Sequence, residues 1–75
     1  QLFLKQNRKC ALSGLNIEFG MHRYNTASLD RIDSEKPYVE DNVQWLHKDV
    51  NKIKMEFDQQ YFIEMCHKVA KNNPL

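Results

Sequence analysis

Ser28-Leu29-Asp30-Arg31-Ile32-Asp33, followed by Asn42-Val43-Gln44-Trp45 and then Asn51-Lys52-Ile53-Lys54, is the stretch that decides how this chain is read. It sets out a carboxylate, a carboxamide, and a second carboxamide trailed by a lysine. Ala27 to Ile32 and Val43 to Leu46 suit two short strands. The acidic, proline-containing stretch Asp33 to Asp41 between them suits a long loop. From His47 to about Phe57 the composition is helical, with Val50, Ile53 and Phe57 at spacings of three and four. The order strand, loop, strand, helix can bring Asp30 and Asn51 to opposite walls of one cleft. Lys54, three residues beyond Asn51, shares its helical face, where it could reach a phosphate.

Outward from this centre, Leu2 to Arg8 reads as a short helix and Cys10 to Gly14 as a turn, with Gly14 supplying a positive φ. Leu15 to Phe19 reads as a further strand and Met21 to Thr26 as loop. Asp58 is placed to cap a last helix over about 58–71, whose Phe62, Met65, Cys66, Val69 and Ala70 make one apolar stripe expected in the core. Asn72-Asn73-Pro74 stops it. The expectation is a single α+β domain over 1–75 with its core at about 10–55. The helical tail with which the sequence opens suggests a piece of a longer protein.

Composition narrows the classes. The chain has 75 residues, 41% of them hydrophobic, enough for one small and marginal core. No apolar run approaches the roughly 20 residues that span a bilayer, so a cytoplasmic protein without membrane contact is expected. Cys10 and Cys66 are too few and too far apart for a disulfide framework. A net charge of +1 does not by itself favour a polyanionic partner. Lys48, Lys52 and Lys54 nevertheless cluster around Asn51, and local basic patches hold phosphates without a high overall charge.

Phosphodiester hydrolysis needs a nucleophilic water, neutralisation of a non-bridging oxygen and stabilisation of the departing oxygen. One divalent ion supplies the last two if it keeps open positions. Mg²⁺ accepts one or two protein oxygens and retains waters, a requirement that Asp30 with Asn51 fits. The blander reading of Asp30 is an ion pair with Arg31 or a neighbouring lysine.

On Ser28 to Asp33, Tyr38, Asn42 to Trp45 and Asn51 to Lys54, the run Cys10 to Lys54 resembles the HNH endonucleases of the ββα-metal class. These occur in homing, restriction and phage nucleases, bacteriocin nucleases and CRISPR effectors. The resemblance implies a ββα-metal core with flanking helices and Mg²⁺- or Mn²⁺-dependent cleavage of DNA in a bacterial or phage setting. It implies Asp30 and Asn51 as metal ligands, Asn42 as the residue that pins the loop, and Arg31, Lys48, Lys52 and Lys54 on the nucleic acid. Specificity would come from a flanking domain or a partner, and a homodimer would give double-strand cuts.

Three positions depart from the family pattern. Many members carry two Cys-x-x-Cys knuckles that bind zinc, but the matching slots here hold Cys10, Ser13, His47 and Val50, so no structural zinc is expected. Pro37 stands where a glycine usually precedes the loop tyrosine, and Tyr38 is expected in the core. Arg31 occupies the slot of the histidine base, and a guanidinium cannot accept a proton. Three readings follow. Another group is the base, with His47 first, one turn before Asn51 on the same helix face, and Asp33 and His22 behind it. Alternatively, a metal-bound hydroxide or a substrate phosphate takes the proton while Arg31 clamps the phosphate. The third is a DNA-binding module that cuts weakly or not at all, and a small helical interaction domain is a weaker fourth possibility.

Overall fold

The computed structural model describes residues 1–20 and 25–75. The chain is α+β: a short helix α1 (Leu2–Lys5), strands β1 (Ala27–Arg31) and β2 (Val43–His47), and helices α2 (Lys48–Lys54) and α3 (Gln59–Asn72). A single 3-10 turn, Glu40–Asn42, leads into β2. Among the described residues no helix is long and apolar enough to cross a membrane.

The strands pair antiparallel, with Ala27 opposite His47, Leu29 opposite Trp45, Asp30 opposite Gln44 and Arg31 opposite Val43. Because side chains alternate along a strand, this register puts Ser28, Asp30, Gln44 and Leu46 on one face of the hairpin. Leu29, Arg31, Val43, Trp45 and His47 lie on the other. Helix α2 covers the first face, donating from Asn51 Nδ2 to Ser28 Oγ (2.6 Å) and from Lys54 Nζ to Asp30 Oδ2 (2.9 Å).

Cys10, Ile17, Ala27 and Leu46 form a very small apolar core, with Phe3, Leu12, Trp45 and Val50 packed around it. Phe19 closes one side, its ring 4.6 Å from Phe3 and 4.8 Å from Trp45 between centroids. Gln6 fixes α1 to the outer edge of β2: its amide accepts from Trp45 N and donates to Trp45 O, both at 2.9 Å, as a neighbouring strand would.

Several elements differ from the sequence expectations. The first helix is shorter, because Asn7 and Arg8 both take positive φ (58°) and break the helical path. Leu15 to Phe19 is not a strand. It makes one isolated bridge, Lys9 to Asn16, and its carbonyls and amides are shared between the 8–10 turn and residues 26–27 without forming a ladder. Helix α2 stops at Lys54 rather than Phe57. Ile53 and Phe57 of its expected apolar face are exposed, and only Val50 reaches the core. Asp58 does cap α3, accepting from Tyr61 N at 3.1 Å. The α3 stripe, however, is not core: Phe62 is buried, whereas Met65, Cys66, Val69 and Ala70 are exposed. Near its start α3 is tied to the hairpin through Gln59, whereas its later apolar residues line an open groove with Leu12, Val50 and Ile53 instead of packing into the core.

Met55 ends α2 with φ 53° and ψ −128°, a region that glycine alone enters at no steric cost. Its side chain is 68% exposed, so little packing offsets the strain. Met55→Gly should therefore stabilise the fold by about 1 kcal/mol. Urea denaturation checks this, and an unchanged or lower midpoint would contradict it.

Candidate metal and phosphate site

Asp30 is 6% exposed, in the middle of β1, and a carboxylate so placed needs compensating donors. It has two. Lys54 Nζ and Gln44 Nε2 both donate to Oδ2 at 2.9 Å. Gln44 lies directly across the hairpin, and its Nε2 also donates to Gln59 Oε1 at 2.6 Å, tying α3 to the same network. Lys54 is completely buried and donates a second bond to the Arg31 carbonyl at 3.1 Å.

Lys54 is accordingly not a phosphate-contacting residue. The helical spacing places it beside Asn51 as expected, but α2 packs against the hairpin along this face. The long side chain runs inward to the carboxylate instead of outward to solvent. The basic residues left on the exposed side of α2 are Lys48 and Lys52, four apart and so on one strip that borders Asn51.

Asn51 and Asp30 come to the same face of the hairpin, because the partner of Asn51 is Ser28, two residues before Asp30 on the strand. Oδ1 of Asp30 and Oδ1 of Asn51 take no hydrogen bond from the described residues. These are hard oxygen donors of the kind Mg²⁺ selects. Among the described residues no three His, Cys, Asp or Glu side chains converge as a ligand set, so an ion held here would draw its remaining ligands from water or substrate. The donor set fits a weakly held Mg²⁺ or Mn²⁺.

Arg31 points to the other face. Its guanidinium lies 4.9 Å from the centre of the Tyr38 ring and donates from Nη1 to the Lys36 carbonyl at 3.3 Å. Tyr38 is thus an exposed platform for Arg31 and not the core aromatic the sequence suggested. Such stacking holds the guanidinium fork while leaving other N–H donors for an anion.

His47 is not inside the helix, one turn before Asn51. It ends β2, caps α2, and accepts from Asp49 N at its Nδ1 (3.1 Å). That bond commits Nδ1 to the first turn of α2. The strand alternation also turns His47 away from Asp30. Asp33, on the exposed loop, uses Oδ1 to accept from Glu35 N. His22 falls outside the described residues.

The loop 32–42 is organised by Asn42, which is buried. Its Oδ1 accepts from Asp33 N (2.9 Å), and its Nδ2 is shared among the carbonyls of Asp33 (3.0 Å), Pro37 (3.0 Å) and Lys36 (3.2 Å). One side chain thus substitutes for the ladder the loop lacks, and through Lys36 O it also locates the group that holds Arg31.

The four knuckle slots are placed as follows. Cys10 and Val50 line the core, and Cys10 Sγ accepts from Ser13 N at 3.3 Å. Burial raises the Cys10 thiol pKa, but hydrogen bonds from the Ser13 side chain and from backbone at His47, Ser13 and Leu12 outweigh it, and the net shift is downward.

Sequence reasoning missed Gln44, Gln59 and Ser28 as partners of the acidic and amide residues. Gln44 had a signal: it is the polar residue in Val43 to Leu46 at the position whose neighbour two along, Leu46, faces inward. Asn42→Ala should cost roughly 2–4 kcal/mol, since it removes several bonds and strands buried carbonyls. Thermal melts check this, and a loss below about 0.5 kcal/mol would show that the loop holds itself.

No protein-family model matches this chain, and no curated protein or solved structure matches it.

Proposed function

We propose that this chain is a ββα-metal domain that cleaves DNA phosphodiester bonds using one Mg²⁺ or Mn²⁺ held by Asp30 and Asn51. The observation that carries the reading is the convergence of these two side chains on one hairpin face, each with an oxygen that no described residue occupies. The ion, when bound, supplies Lewis-acid stabilisation of the phosphate and of the leaving oxygen. The chain's residues do the rest. Asp30 and Asn51 position the ion from β1 and α2. Lys48 and Lys52, beside Asn51, track the phosphate backbone, while Arg31, on the opposite hairpin face and steadied on Tyr38, is left for a phosphate away from the ion. Asn42 keeps the loop, and so Arg31, in place.

A second reading, a module that binds DNA without cutting it, is favoured by one specific observation. The first-choice base does not face Asp30: Arg31 stays protonated, and His47 lies on the opposite hairpin face with its Nδ1 accepting from Asp49 N. Under the nuclease reading the proton leaves to solvent or to the substrate phosphate, which makes for slow cleavage.

Plasmid nicking separates the two. Wild type should nick supercoiled DNA in Mg²⁺ or Mn²⁺, and Asn51→Ala should lower the rate by 10²-fold or more. The paired change Asp30→Asn/Lys54→Met, which removes both members of the buried pair, should abolish nicking. Salt-dependent DNA binding with no cleavage in any of these would establish the binding module instead.

A further inference from the structure

Lys54 is a completely buried cation, and it is spent on a residue that the proposed function needs for a second cation. Its ammonium donates to only one oxygen of Asp30, Oδ2, and takes the Arg31 carbonyl as its other acceptor. Gln44 Nε2 donates to the same Oδ2. Oδ2 is therefore saturated by two fixed donors, while Oδ1 takes no hydrogen bond from the described residues.

We propose that Lys54 is a resident cation that limits divalent-ion affinity: it reserves Asp30 Oδ2, restricts the carboxylate to one coordinating oxygen, and repels the incoming ion. The inference rests on the functional reading above. Three physical consequences follow. Asp30 cannot bind an ion through both oxygens, as it would with Oδ2 free. A positive charge one carboxylate away, in a site with little water to screen it, opposes a second positive charge. In return the site is assembled before any ion arrives, because the carboxylate is already compensated and the end of β1 is fixed through the Arg31 carbonyl. Lys54 is thus a positioning residue, and its effect on the ion runs opposite to that of a lysine serving packing alone.

The test is Mn²⁺ binding to the full chain, followed by paramagnetic resonance of the free ion and by thermal melts with and without Mn²⁺. Lys54→Met should bind Mn²⁺ at least tenfold more tightly than wild type, and its melting temperature should rise more on adding Mn²⁺, since the ion then compensates Asp30. If Lys54→Met is unfolded without the ion, Lys54→Gln, which keeps a donor and loses the charge, should show the same tightening. A purely structural lysine would give the reverse, with binding lost along with the fold. If wild type nicks DNA and binds Mn²⁺ while both variants bind it no more tightly, this inference is overturned and the functional reading stands. Wild type and both variants that neither bind Mn²⁺ nor nick DNA would overturn the functional reading itself.

Discussion

The seating of α2 on the hairpin turns on the Lys54–Asp30 ion pair. Both partners lie out of water, at 0% and 7% side-chain exposure, joined at 2.9 Å. Taking two charges from water costs several kcal/mol each, and further hydrogen bonds, from Gln44 to Oδ2 and from Lys54 to the Arg31 carbonyl, offset part of that cost. Its net contribution to stability is modest; its contribution to specificity is larger. The observed setting of α2 against the hairpin brings the lysine to the carboxylate. That setting also brings Asn51 to Ser28 and leaves Lys48 and Lys52 outside.

A domain with so small a core needs polar connections of this kind. Asn42 performs the corresponding task for the long hairpin loop, and Gln6 does so at the edge of β2. Each is a side-chain amide standing in for backbone that a larger sheet would provide. The apolar surface that larger domains bury is left open here along α3. There Met65 and Val69 face solvent beside Ile53 and Phe57, so the stabilising apolar contribution of the two C-terminal helices is smaller than their sequence patterns imply.

The central hairpin and the start of α2 were legible in the sequence because strand alternation, a polar loop and helical composition all agree over residues 27–54. The Asp58 cap was legible for the same reason: the signal is local. Leu15 to Phe19 misled because alternation suggests a strand only if a partner edge exists, and tertiary context decides that. The α3 stripe misled because periodicity reports an apolar face without saying what covers it. Within the candidate site, the joint placement of Asp30 and Asn51 followed from topology. The burial of Lys54 and the capping role of His47 did not. Each depends on how α2 docks, and a lysine or histidine at a helix boundary reads alike whether it turns inward or outward.

Asp30 and Asn51 are proposed to hold one divalent ion while Lys54 stays in place beside it. A crystal structure grown in Mn²⁺, with the metal located by its anomalous scattering, tests this most directly. A single peak within about 2.0–2.4 Å of Asp30 Oδ1 and Asn51 Oδ1, with Lys54 still on Oδ2, is the predicted result. A peak found only among the exposed carboxylates of Glu35, Glu40 and Asp41, or an ion that displaces Lys54 from Asp30, would contradict it.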